Sequence, residues 1–157
     1  MGIDWATDGH NRPDIPAIRR RMGKEGFQTT TTADAERCVE SLGLRYQRHT
    51  GRSSLSALKN AVRDGHFVQL AIKYGVLNDR LRRTGDPNFR DGHSIGVLGQ
   101  RTYRGELQWM LYDPLDDHRR SSIPQGPRWV AASAIIAACE GYGGFFGIFM
   151  KQGGHRG

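Results

Sequence analysis

Apolar and polar positions alternate most sharply between Asp91 and Pro114. Ile95, Val97 and Gly99 share a face with His93, and Leu107, Trp109 and Leu111 share a face with Asp113. This period of two predicts two strands joined by the polar turn from Arg101 to Gly105. A turn centred on Tyr103 sets Val97 opposite Trp109, Ile95 opposite Leu111 and His93 opposite Asp113.

Elsewhere the period is helical. Ala35, Cys38, Val39 and Leu42 fall at i, i+3, i+4 and i+7, which predicts a helix over 33–42 closed by Gly43. Ser53 or Ser54 caps a second amphipathic helix that carries Leu55, Leu58 and Val62 and ends at Gly65. Pro13-Asp14-Ile15-Pro16 opens a short helix to Arg21 or Met22, and residues 1–10 read as a helix end or turn stopped by Gly9. Strands are expected at 44–47, at 66–74 with Val68, Leu70, Ile72 and Tyr74 on one face, and at 145–150. Trp129-Val130 leads into a small-residue helix over 131–139, and the polar stretches 78–90 and 115–128 are loops. Helices thus come first and a mostly antiparallel set of strands follows, an α+β pattern. With no repeat and no linker, residues 1–151 form a single domain, and the Gly-rich tail 152–157 has the composition of a disordered end.

Composition adjusts this picture in three ways. The 37% apolar content and 21 glycines of the 157-residue chain point to a modest core and many loops. No apolar run is long enough to span a bilayer, and Met1-Gly2-Ile3-Asp4-Trp5 is not the start of a signal peptide, so no membrane partner is expected. The formal charge of +7 favours anionic partners: nucleic acid, a cell-wall polymer or an acidic protein face. Its source is 19 arginines against four lysines, a bias that GC-rich coding also produces. The clusters Arg19-Arg20-Arg21, Arg80 with Arg82-Arg83, and Arg119-Arg120 are short and scattered, and none is a known nucleic-acid module.

Metal and cofactor chemistry finds no foothold. Cys38 and Cys139 lie far apart without a CxxC partner, which argues against a disulfide framework and a zinc site. The six histidines show no metal-ligand spacing, and Asp116-Asp117-His118 reads as a solvated turn. Cys38 sits on a core-facing stripe, where apolar surroundings leave a thiol inert.

The residues that carry chemistry are His93 and Asp113. A carboxylate beside an imidazole fixes its tautomer and supports its protonated form, which is the base-and-orienter half of a nucleophilic triad. The same two residues can also simply cap a hairpin, with Asp113 turning the chain into Pro114.

The words Asp91-Gly92-His93-Ser94-Ile95-Gly96-Val97, Tyr112-Asp113-Pro114-Leu115 and Trp129-Val130-Ala131-Ala132-Ser133 resemble the papain-like cysteine peptidases. The likeness is to the branch related to bacteriocin-leader-processing peptidases, including similar domains in bacteriophage genomes. It covers residues 1–150 and is specific at the His and Asp strands. It implies a papain-like fold, with N-terminal helices on a mostly antiparallel sheet. One feature of that family is missing: a nucleophilic Cys at the start of the first helix, with an oxyanion-stabilising side chain a few residues before it. Met1-Gly2-Ile3-Asp4-Trp5 resembles the sequence that follows such a Cys.

Three readings follow. The first is a non-catalytic papain-like module serving as a structural or binding part of an assembly, a bacteriophage virion, in which His93 and Asp113 are vestigial. Its partners would be other subunits, met through the N-terminal segment and the 152–157 tail, with a peptide or anionic cell-wall ligand as a further possibility. The second is an active cysteine peptidase or amidase whose Cys lies upstream of Met1, and which would be cytoplasmic if not part of a particle. A third reading is a basic nucleic-acid-associated protein. Trp5 and Trp109 are expected as apolar neighbours of His93.

Overall fold

The computed structural model describes residues 2–8, 10, 13–25, 28, 30–51, 54–77, 89–114 and 127–150. Strands β1 (Arg45–His49), β2 (Phe67–Lys73), β3 (Gly92–Tyr103), β4 (Glu106–Tyr112), β5 (Arg128–Ala131) and β6 (Phe146–Met150) form one sheet. Their order is β1-β6-β2-β3-β4-β5, and each neighbouring pair is antiparallel. Helices α1 (Gly2–Ala6), α2 (Ile15–Arg21) and α3 (Thr32–Glu40) precede the sheet, α4 (Leu55–Arg63) links β1 to β2, and α5 (Ala132–Gly141) links β5 to β6.

Strand alternation sends successive side chains to opposite faces and so makes two cores. Val68, Leu70 and Ile72 of β2 pack with Ile95, Val97, Trp109 and Leu111 against Leu58 and Val62 of α4 and Ile135 and Ala138 of α5. Tyr46, Phe67 and Phe149 face the other way and pack on Ile3 and Ala6 of α1 and Ala35, Cys38 and Val39 of α3. Helix α1 thus spends its apolar side chains on its own sheet.

Local chemistry explains where the helices start. Asp14 Oδ1 accepts from Ala17 N at 2.6 Å and caps α2. A capping box opens α3: Thr31 Oγ1 accepts from Asp34 N at 3.2 Å, and Asp34 Oδ2 accepts from Thr31 N at 2.8 Å. Of the two serines expected to cap helix α4, Ser53 lies outside the described residues and Ser54 makes no cap. Ser54 holds the N-cap position with φ −86° and ψ 0°, already helical, and its hydroxyl donates backwards to Thr50 O at 3.3 Å rather than accepting from the helix. Strand β5 is a further departure, because Arg128–Ala131 pairs with β4 before α5 begins at Ala132. Tyr74 lies just past β2 in a short 3-10 turn, Tyr74–Val76.

The hairpin register also differs from expectation. The turn is Arg104-Gly105, both at positive φ (51° and 79°), and not a turn centred on Tyr103. Two such residues give the mirror-image turn that suits strand twist. Tyr103 pairs with Glu106, Arg101 with Gln108 and Gln100 with Trp109. A bulge between Val97 and Gln100, with Gly99 at φ 77°, then inserts one extra residue into β3. Beyond it Val97 faces Leu111, not Trp109, and Gly96 faces Tyr112. Ile95 is therefore not opposite Leu111, nor His93 opposite Asp113.

On the α1–α3 face, Gln69 of β2 pairs with Gly96 on one side and Gly147 on the other. Both glycines lie under rings. A Cβ at Gly147 would fall 1.8 Å from the Tyr46 ring, and one at Gly96 would fall 2.4 Å from Phe67 Cζ. Crossing Gly147, the Tyr46 hydroxyl donates to Gln69 Oε1 at 3.2 Å, and Gln69 Nε2 donates to Ser94 Oγ at 2.9 Å. Burial, then the charge of Glu36, pushes the Tyr46 phenol up, so it stays a donor.

The expected tail at 152–157, Asp116-Asp117-His118, the clusters Arg80 with Arg82-Arg83 and Arg119-Arg120, and the loop segments 78–88 and 115–126 lie outside the described residues. Among the described residues no helix is long and apolar enough to cross a membrane.

Candidate functional site

Four neighbouring strands meet at one end of the sheet, and each brings a polar side chain there. Tyr74 follows β2, His93 opens β3, Asp113 follows β4 and Arg128 opens β5. His93 lies on the face of Ile95 and Val97, and Asp113 on that of Trp109 and Leu111. The bulge leaves His93 diagonal to Asp113 rather than directly across, a separation a ring and a carboxylate can span. His93 Nε2 lies 2.8 Å from Asp113 Oδ1.

Asp113 has 0% side-chain exposure. A buried carboxylate persists as an anion only where donors surround it. Tyr74, fully buried, donates its hydroxyl to Asp113 Oδ2 at 2.9 Å, and an Arg128 Nη stands 3.6 Å from the same oxygen. Because a carboxylate only accepts, the His93 Nε2–H donates to it and the acceptor lone pair is left on Nδ1. Nδ1 has no hydrogen-bond partner among the described residues. Rings hold the imidazole edge-on, Tyr74 at 5.0 Å and Phe89 at 6.2 Å between centroids.

The expected tryptophan neighbours are placed elsewhere. Trp5 lies edge-on to His66 at 6.2 Å, and Trp109 is buried in the α4–α5 core. Tyr74 and Arg128 join the site without a signal in the sequence pattern. Tyr74 reads as one more apolar strand position, and Arg128 as one more charge in a polar loop.

A cleft of about 670 Å³ borders His93, lined also by Ser94, Gln69, Arg48, Tyr142 and Phe145. A smaller cavity of about 230 Å³ shares Gln69, Ser94 and Pro114 with it and reaches Cys38.

The two thiols stand apart from this base. Cys38 is fully buried within the α1–α3 core, and burial pushes its thiol up. Cys139 is fully buried in the α4–α5 core with its Sγ 3.8 Å from Phe145 O, and burial, then the charge of Glu140, pushes it up to about 11. Both therefore stay protonated, and neither has a hydrogen bond to His93. No cluster of three metal-ligating side chains occurs among the described residues. The arrangement can orient an imidazole, accept a proton at Nδ1 and hold a ligand in the cleft beside it.

Among solved structures, the chain is similar to a provisionally assigned C39-like peptidase from Bacillus anthracis, with a TM-score of 0.53 and 17% identity. The match covers 83% of this chain and 63% of that one, so the chain spans less than two thirds of that protein's length. No family model matches the chain, and no curated protein matches it. The likeness shows the fold: α+β and papain-like, helices packed on an antiparallel sheet.

Proposed function

We propose that this papain-like chain is a binding or structural module of a larger assembly and hydrolyses nothing by itself. The resemblance of its His and Asp strands to bacteriophage domains suggests a virion as that assembly. The observation that carries the reading is the separation of base from thiol. His93 is oriented by Asp113 at 2.8 Å, while both cysteines are packed into cores and held protonated. A base and orienter without a nucleophile can bind, orient and exchange a proton, but cannot form the acyl intermediate of a cysteine peptidase. The cleft of about 670 Å³ beside His93 is of a size that takes a small ligand or a few residues of peptide.

The intact His93–Asp113 pair favours one alternative, a cysteine peptidase or amidase whose thiol reaches Nδ1 from outside these 157 residues. Incubation of the purified chain with generic peptide and cell-wall substrates separates the two. The first reading expects no turnover above that of His93→Ala. Turnover that disappears in His93→Ala overturns it.

A further inference from the structure

The arginines among the described residues differ in what holds them. Arg37, Arg48, Arg63 and Arg128 each lie against a carboxylate: Asp34, Glu36, Asp64 and Asp113. Arg101, near the tip of the β3–β4 hairpin, is held without one. Its guanidinium carbon lies 4.5 Å from the Trp129 ring centroid and 5.1 Å from that of Tyr103. Its Nε donates to Gln108 Oε1 at 3.0 Å. Gln108 Nε2 donates in turn to Glu106 Oε2 at 3.1 Å, which fixes the amide so that its oxygen faces the arginine. Arg104 lies 5.2 Å from the same Tyr103 ring. Neither Arg101 nor Arg104 has an ion pair among the described residues, and Tyr103 is 47% exposed.

We propose that this hairpin tip binds single-stranded nucleic acid, with Arg101 gripping a backbone phosphate and Tyr103 carrying a base. A guanidinium stacked on two rings and tied at Nε has already lost much of its rotamer freedom, so binding costs less ordering. Its two Nη groups, with no acceptor among the described residues, present the fork that matches phosphate oxygens. A planar base would stack on the half-exposed Tyr103 ring in place of the Arg104 guanidinium that now lies over it, as bases stack on aromatic side chains in single-strand binders. The formal charge of +7 favours a polyanion. An acidic peptide would satisfy the fork but leave the ring without a planar partner. Tyr103 is ten residues along the strand from His93, about 30 Å at the rise of a β-strand, so this surface is distinct from the His93 cleft.

The test is fluorescence anisotropy of a labelled single-stranded oligonucleotide titrated with the full chain at several salt concentrations. Binding is expected at low salt, with log K falling by about 0.7 per engaged phosphate per unit of log salt. Arg101→Lys keeps the charge but loses the fork, and Tyr103→Ala loses the platform. Each should weaken binding by about tenfold. Arg20→Ala, which removes one charge from α2, should change it less than about twofold. Three results would overturn the assignment: no binding at low salt, Arg101→Lys binding like the parent, or Arg20→Ala weakening binding as much. Competition by polyglutamate as effective as by the oligonucleotide would transfer the surface to an acidic protein partner.

Discussion

Replacing Gly147 by alanine should destabilise the protein far more than one methyl group suggests. Gly147 lies between β1 and β2, and the added Cβ would fall 1.8 Å from the Tyr46 ring. That ring cannot yield cheaply. Tyr46 is 7% exposed, packs edge-on to Phe149 at 5.0 Å between centroids, and is tied through its hydroxyl to Gln69. Overpacking a closed core costs about 1–3 kcal/mol. Breaking the Tyr46–Gln69 hydrogen bond adds about 1 kcal/mol. The sum, about 2–4 kcal/mol, is a large share of the roughly 5–15 kcal/mol that holds a domain together. In urea it would lower the unfolding midpoint by about 1–2 M. The control is the same substitution in a Tyr46→Ala background. With the ring gone, glycine is merely a flexible strand residue, and Gly147→Ala should be neutral or stabilising by about 0.5–1 kcal/mol. Equal costs in the two backgrounds would refute the steric account, as would a neutral Gly147→Ala in the parent.

Two more outcomes follow from the packing. Cys38 and Cys139 should resist a thiol reagent in the native protein and both react once it is unfolded; fast labelling of Cys38 that depends on His93 would make it the nucleophile. Acidification should weaken the junction of α2 and α3. Burial raises the Asp34 carboxyl, but the Thr31 amide, Lys24 Nζ at 3.1 Å and the Thr31 hydroxyl outweigh it and hold the group below its ordinary value. Its contribution is present above the unfolded value of about 3.9 and is lost as pH falls through the lower folded value. Asp34→Asn should therefore flatten that acid limb in pH-dependent urea melts, and an unchanged limb would remove Asp34 from the explanation.

The hydrophobic pattern carries the element types well and their partners poorly. The stripe through Cys38 and Val39 and the run Val68, Leu70, Ile72 are local periodicities, readable from neighbours in the chain. So is the face shared by His93, Ile95 and Val97. The register is not, because it depends on two backbone devices with weak signals: positive φ at Arg104, a residue not usually placed there, and the bulge at Gly99. Tyr74 and Arg128 are illegible for a different reason. Each gains its meaning from a carboxylate 39 or 15 positions away in sequence, as 113 − 74 and 128 − 113 give. Nothing near Arg128 distinguishes it from arginines that only face water. The placement of β6 between β1 and β2 is equally non-local.

That placement has a consequence for how the molecule comes into being. β6 follows the other described strands in the chain yet lies second in the sheet. Tyr46 of β1 has to wait for Phe149, and Ile3 and Ala6 of α1 share a core with that same residue. At about 5–20 residues per second, the roughly one hundred residues between them occupy the ribosome for on the order of 5–20 s. During that interval α1, α3 and β1 have left the synthetic machinery without the strand that would cover them. Until β6 emerges, the apolar side chains of α1, α3 and β1 present surface of the kind that chaperones bind, and β6 is the strand that covers it.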